Sequence, residues 1–155
     1  MRTALLYACL AVIASPSARA APAATIGVTQ AWSRPAAAGT NGAGFMVITN
    51  HGKSAVVLKM IESQAAKHVE MHQSAMAGGV MSMKRLDAGL ALAPGQSVTF
   101  APGGYHLMLV GLTKALKTGD RVPMTLVFAD GARRKIDFPV RDGLGGMPGM
   151  DHMHH

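Results

Sequence analysis

The chain is poor in cysteine, aromatic residues and charge, and these scarcities narrow the classes of protein it can be. Its single cysteine is Cys9, so the chain has no second thiol for an internal disulfide. A blue-copper electron carrier needs a cysteine thiolate in its mature domain, which the sequence after Cys9 does not supply. Aromatic residues make up 5% of the chain and charged residues 15%, and the basic residues behind the net charge of +7 are scattered. A nucleic-acid surface would show a basic stripe, so nucleic acid is not an expected partner.

The first twenty residues predict an export signal. Arg2 supplies a positive charge, residues 4–14 form an unbroken apolar run, and Ala18-Arg19-Ala20 gives the small-x-small pattern of a cleavage site. The run is well short of the roughly 20 apolar residues that span a bilayer. We therefore expect a signal peptide over residues 1–20 and a periplasmic mature chain.

Lipid attachment at Cys9 is the alternative interpretation of this segment. Cys9 lies inside the apolar run, with the bulky Tyr7 two residues before it, which argues against processing as a lipoprotein. We expect the mature chain to start at Ala21 and to have no stable insertion in the membrane.

After the signal, short segments with period-two alternation are separated by Gly, Pro, Asn and Asp. Many short strands at regular spacing predict an all-β antiparallel sandwich or barrel. A hairpin is expected over 121–140 with its turn at Ala129-Asp130-Gly131, and 63–67 is the best candidate for a short helix. The predicted strands are 25–32, 44–50, 55–61, 68–73, 80–86, 97–100, 106–110, 121–128 and 133–140.

The alternation stops at Gly143, where a glycine-rich end begins. The sequence therefore predicts three parts, a signal peptide (1–20), one β domain (21–142) and a flexible His/Met-rich tail (143–155).

Methionine is the residue in unusual supply, with twelve in the chain against four phenylalanines. Methionine is usually an adaptable filler of cores, so abundance alone indicates little, and the face on which each side chain lies decides its role. We expect Met46, Met60 and Met124 to lie in the core, because they occur within hydrophobic alternation.

Residues two apart on a strand share a face, which separates core positions from possible ligands. In 106–110, Leu107 and Leu109 form the evident core face, so His106 and Met108 lie together on the other, roughly 6–7 Å apart.

The same rule applies to the two preceding strands. In 80–86, Met81 and Met83 lie opposite Val80 and Leu86. In 68–73, Glu70 and His72 share the polar face with His68, for which a plain surface role is expected.

The combination of thioethers and imidazoles indicates copper before zinc or iron, because soft thioethers select Cu(I). His68, Glu70 and His72 could imitate a catalytic zinc site, but nearby thioethers do not suit one. No Ser-His-Asp arrangement or carboxylate pair stands out either, so we expect a binding protein rather than an enzyme.

These residues resemble the signature of the periplasmic PCu(A)C copper chaperones. The motif occurs as His72, ten residues, Met83, twenty-two residues and His106-Leu107-Met108, the second spacer being one residue longer than in the family. The surrounding sequence is also similar, including 69–72, 79–83, 102–109 and 116–123, with 31–34 near the mature start. The resemblance covers roughly 26–140.

The resemblance implies a cupredoxin-like Greek-key β-barrel or sandwich that lacks the cupredoxin cysteine. It implies Cu(I) binding by His72, Met83, His106 and Met108, with Met81 as the alternate to Met83. The partners it implies are a copper ion and a copper-accepting subunit of a haem-copper (cytochrome c) oxidase, or another copper chaperone. A copper scavenger or storage protein is the alternative function.

The C-terminal end holds a second set of possible copper ligands. Imidazole suits Cu(II) better than thioether does, so this end could take a second copper as Cu(II). A disordered end or the remnant of a purification tag is the alternative, although interleaved Met and Asp residues argue against a tag. The six candidates are Met147, Met150, His152, Met153, His154 and His155.

Overall fold

The computed structural model describes residues 25–143, and the regular elements within them are β-strands. The predicted signal peptide and the six tail candidates lie outside the described residues. The strands are β1 (Ile26–Ser33), β2 (Gly42–Asn50), β3 (Val56–Glu62), β4 (Ala66–Ala77), β5 (Val80–Arg85), β6 (Leu90–Leu92), β7 (Ser97–Phe100), β8 (Tyr105–Leu112), β9 (Arg121–Phe128) and β10 (Arg133–Pro139).

The strands form two sheets. The larger sheet has the order β1-β2-β7-β8-β4-β5 and the smaller one the order β10-β9-β3-β6. A bridge between Ser33 and Val140 links the end of β1 to the residue after β10, which partly closes the space between the sheets. The prediction of an all-β sandwich or barrel is confirmed. Among residues 25–143, no helix has the length and hydrophobicity that crossing a bilayer requires.

Every predicted strand is present, and the segments 97–100 and 121–128 have the predicted bounds. The β9–β10 hairpin turns where expected, with Gly131 at a φ of 87°. Two expectations were wrong. The three-residue β6 was missed, since so short a segment shows no alternation. Residues 63–65 form a turn, and Ala66 and Lys67 already belong to β4, because pairing of Ala66 with Leu112 outweighs any local helical tendency.

The core lies between the sheets and is built from the inward residue of each alternating pair. Leu107 and Leu109 of β8 are fully buried, as are Leu58 and Leu126 of the smaller sheet. Each such side chain contributes about 1.5–3 kcal/mol relative to an exposed one. The predicted core face of β8 is confirmed, and His106 and Met108 lie on its other face.

The methionines divide between the core and the surface. Met46 and Met124 are each 1% exposed, as predicted, but Met60 is 44% exposed and the prediction for it was wrong. The register of β3 against β9 shifts between Leu58 and Met60. A bulge of this kind inserts one extra residue, so Met60 points to solvent and Ile61 takes the inward position.

Candidate metal centre

The antiparallel pairing of β4 with β8 brings two candidate ligands directly together. His72 lies opposite His106, and their ring centroids are 5.4 Å apart. Two residues further along the same pair of strands, Glu70 lies opposite Met108. All four side chains lie on the face of the larger sheet that points away from Leu107, as the alternation predicts.

The pairing of β4 with β5 adds the third segment to the same face. His72 is opposite Arg85, Ser74 is opposite Met83, and Met76 is opposite Met81. Met83 is therefore a diagonal neighbour of His72, at a separation of about 7–8 Å between Cα atoms.

The register separates the two methionine candidates of β5. Met81 lies a further two residues along the strand from His72, an additional distance of about 6–7 Å. The register thus places Met83 nearer than Met81 to the histidine pair.

The candidate centre has a buried end and an exposed end. His72 is 8% exposed, whereas Met83 is 53% exposed at the sheet edge. On the β2 side, Ala43 lies opposite Met108, and the tilted rings of Phe45 and Trp32, with centroids 4.7 Å apart, occupy the next positions. An ion held among these side chains would be open to solvent on the β5 side.

The hydrogen bonds of the two histidines define which nitrogen of each ring is free. His72 Nε2 lies 2.8 Å from Glu70 Oε2, and His106 Nδ1 lies 3.3 Å from the carbonyl oxygen of Gly104. A carboxylate or a carbonyl oxygen can only accept, so those two ring nitrogens carry the protons. The lone pairs are left on His72 Nδ1 and His106 Nε2.

His72 Nδ1 is buried and has no hydrogen-bond partner among residues 25–143. An orphaned buried acceptor costs about 1–3 kcal/mol unless something fills it. A metal-binding histidine usually donates a hydrogen bond from one ring nitrogen to a carboxylate, which leaves the other ring nitrogen free to bind the ion. The side chains therefore suit a metal ion.

Met108 is positioned by a residue that the sequence did not single out. Asn41 Nδ2 lies 3.8 Å from Met108 Sδ, and Asn41 Oδ1 accepts a hydrogen bond of 3.1 Å from the backbone N–H of Gly111. Asn41 precedes β2, 67 residues before Met108. Nothing in the local pattern could have connected the two.

Glu70 is the charged centre of this face. Its Oε1 accepts from Arg85 at 3.0 Å and contacts His68 Nε2 at 3.2 Å, while its Oε2 accepts from His72. The hydrogen bond from His72, together with those from Arg85 and His68, holds the pKa of Glu70 below its usual range against the opposing effect of desolvation. The carboxylate therefore stays ionised to a lower pH than an ordinary glutamate.

A zinc-like triad of His68, Glu70 and His72 is not what the structure shows. Both histidines direct Nε2 to the Glu70 carboxylate, and the His68 side chain is 56% exposed, as its expected surface role requires. In the part of the chain from 25 to 143, no group of three or more His, Cys, Asp and Glu side chains converges as a metal site. The three residues form a hydrogen-bonded row instead.

The arrangement offers two kinds of donor on one face. His72 and His106 supply imidazole lone pairs, and Met83 and Met108 supply thioethers on the neighbouring positions. Mixed imidazole and thioether donors suit a soft ion better than Mg²⁺ or Ca²⁺. Met76, on the same face, was missed because the predicted strand ended at Gln73.

Comparison with known families gives a match over most of the chain. The family model described as LpqE-like ("Putative lipoprotein LpqE-like") matches residues 26–140. The chain is 31% identical over 118 residues to "Putative lipoprotein Lxx21020" of Leifsonia xyli, which covers 76% of this chain and 70% of that protein. It is 27% identical to the uncharacterized protein RP573 of Rickettsia prowazekii, with 76% and 67% covered.

Solved structures with the same fold include copper-bound domains. The copper-bound PCuAC domain from PmoF2 is 29% identical and has a TM-score of 0.63, with 76% of this chain and 92% of that one covered. The CuI-DR1885 structure from Deinococcus radiodurans is 26% identical with a TM-score of 0.56, covering 83% and 88%. These similarities confirm the cupredoxin-like fold and the resemblance to PCu(A)C domains.

Replacing Glu70 with Gln should remove a pH-dependent part of the stability. Because the folded-state pKa of Glu70 is lowered, its contribution is fully present above the usual carboxyl pKa and is lost as the pH falls through the lowered value. We expect Glu70→Gln to lower the unfolding free energy by about 1 kcal/mol at about pH 7. The difference from the parent protein should shrink towards about pH 3.

Urea unfolding at both pH values measures this difference. Glu62→Gln is the matched control, since Glu62 is 44% exposed and pairs with Arg133 on the smaller sheet, where a surface ion pair contributes little. A Glu70→Gln variant with the same pH profile as the parent protein would contradict the assigned role.

Proposed function

The chain belongs to the LpqE-like family, and we propose that it is an exported copper chaperone that binds Cu(I) and catalyses no reaction. The observation that carries the proposal is the cross-strand pair of His72 and His106, with two thioethers on the same face. One nitrogen of each ring is held by a protein oxygen, and the other is free to bind an ion.

We assign His72, Met83, His106 and Met108 as the Cu(I) ligands. Thioethers favour Cu(I), and they carry no proton to lose in the accessible pH range. The diagonal relation of Met83 to His72 supports Met83 over Met81 as the β5 ligand.

Support for copper also comes from the similar proteins. The PmoF2 domain is described as copper-bound and the DR1885 structure as its CuI form. For the present chain we propose the same ion, with delivery to the copper centre of a haem-copper oxidase or to another copper chaperone as its purpose. A storage protein would use the same ligands but would not release Cu(I) to an acceptor.

We propose that the chain acts in the periplasm after removal of residues 1–20, with the β domain over 21–142. The Leifsonia relative is named a lipoprotein, which fits export of this family. For this chain, the position of Cys9 within the apolar run favours cleavage after Ala20 over lipid attachment.

The double variant His106→Ala/Met108→Ala should lose tight Cu(I) binding and keep its fold. Both side chains lie on the outer face of β8, whereas Leu107 and Leu109 on its inner face are fully buried in the core. Anaerobic titration with Cu(I) against a chromogenic chelator measures the binding, and circular dichroism measures the fold. Unchanged Cu(I) affinity in a folded double variant would overturn the ligand assignment.

Met83→Leu should weaken Cu(I) binding with little loss of stability, because leucine conserves the volume and lacks the donor. We expect a loss of about tenfold or more in affinity, which corresponds to about 1.4 kcal/mol. Met60→Leu is the matched control, being an exposed methionine on the other sheet. If Met81→Leu has an equal or larger effect than Met83→Leu, the ligand is Met81.

The C-terminal end should add copper capacity that the β domain lacks. We propose that Met147, Met150, His152, Met153, His154 and His155 bind a second copper, preferentially Cu(II). Truncation after Asp142 should lower the Cu(II) stoichiometry in equilibrium dialysis and leave Cu(I) retention nearly unchanged. Loss of Cu(I) from the truncated protein would mean that the tail supplies ligands to the first site.

A further inference from the structure

Three methionines with no role in the core lie along one edge of the larger sheet. Met76, Met81 and Met83 are 64%, 61% and 53% exposed, and every residue of β5 is exposed. The core has methionines of its own, such as Met46 and Met124. Exposed apolar side chains on an edge strand favour unwanted association, so packing does not explain their presence here.

The turn between β4 and β5 fixes two of these side chains opposite each other. Gly78 and Gly79 have φ values of 59° and 77°, as a two-residue type I′ turn requires. A Cβ at either glycine would meet nothing within 4 Å, so the backbone conformation, rather than space, calls for glycine. The turn pairs Ala77 with Val80 and sets the register for the whole hairpin.

Met76 and Met81 form the next pair after the turn. In a hairpin of this kind the pair beside the turn exchanges backbone hydrogen bonds, and the next pair does not. Side chains of a non-hydrogen-bonded pair are the closer ones, with Cβ atoms about 4.5–5.5 Å apart. Two flexible thioethers on such a pair can converge on one ion between them.

The chemistry of this pair selects a soft monovalent ion. Thioethers bind Cu(I) and Ag(I), whereas Zn²⁺ and Cu(II) prefer imidazole, carboxylate or thiolate donors. With two thioethers and open solvent around them, the pair would hold an ion weakly and exchange it readily. Its binding would not depend on pH, because neither donor titrates.

We propose that Met76 and Met81 form a second, weaker Cu(I) site through which the ion enters and leaves the centre at His72 and His106. Met83, the β5 ligand of the first site, is next to this pair: it lies two residues from Met81 on the same face and diagonal to His72. The thioethers thus form a row from the exposed hairpin tip to the buried His72 and the half-buried His106. The idea that this row leads to a Cu(I) centre at His72 and His106 rests on the proposed function, but ion binding by Met76 and Met81 does not.

Methyl NMR of the full chain tests binding at the pair directly. The protein is labelled with ¹³C at the methionine ε-methyl groups and titrated with Ag(I), then with Cu(I) under anaerobic conditions. We expect the Met76 and Met81 signals to move together, after those of Met83 and Met108 and with fast exchange. The Met60 signal is the internal control and should not move. Met76 and Met81 signals that remain stationary when Ag(I) or Cu(I) is added beyond the filling of the first site would overturn the proposal.

The variant Met76→Leu/Met81→Leu tests the transfer role. Leucine keeps the volume, and both positions are exposed, so the fold should be retained. We expect Cu(I) affinity of the first site to stay within about threefold, while release to bicinchoninate slows by about tenfold or more. Met60→Leu should release Cu(I) at the parental rate. Equal release rates in the double variant and the parent protein would remove the transfer role.

The His106→Ala/Met108→Ala variant separates this proposal from the proposed function. Movement of the Met76 and Met81 signals in that variant would support an independent thioether site, even if the four-ligand assignment failed. The alternative outcome is that the Met76 and Met81 signals never move and that Met76→Leu/Met81→Leu slows Cu(I) transfer only to a protein acceptor. In that case the two methionines form a docking surface for the acceptor. That result would overturn the second site and leave the first unaffected.

Discussion

The register between β4 and β8 is the constraint on which the centre depends. A slip of one residue would turn His106 and Met108 into the core and expose Leu107 and Leu109 to water. Each of those leucines is fully buried, so the slip would forfeit about 1.5–3 kcal/mol for each. Apolar packing on one face of the sheet therefore fixes the positions of the polar and soft donors on the other.

The donors on that face are held in place by hydrogen bonds that leave lone pairs free. Glu70 fixes the His72 ring, the Gly104 carbonyl fixes His106, and Asn41 contacts the Met108 sulfur. Arg85 offsets the charge of Glu70 at 3.0 Å. This arrangement leaves the buried Nδ1 of His72 without a hydrogen-bond partner among residues 25–143, which costs free energy. A bound ion would supply that partner, so ion binding should stabilise the fold.

On the same face, the exposed fraction of the side chains decreases from the methionines of the β4–β5 hairpin to His72. Exposure falls from 64% at Met76 through 53% at Met83 to 8% at His72. An ion that moves along this row would gain imidazole ligands as it loses contact with solvent. The proposed weak thioether site outside and the proposed mixed site inside would together let the protein load, retain and release an ion.

Local alternation in the sequence determined every strand except the short β6, because a period of two is a property of neighbouring residues. It also determined the core face of β8 and the shared face of His106 and Met108. The match of His72, Met83, His106 and Met108 to a family motif named the candidate ligands. Strand pairing, which joins residues far apart in the chain, decided the rest. It placed His72 opposite His106, Met83 nearer than Met81 to that pair, and Asn41 beside Met108. It also exposed Met60 through a bulge against β9, since a register shift arises between two strands and leaves no mark on either one alone.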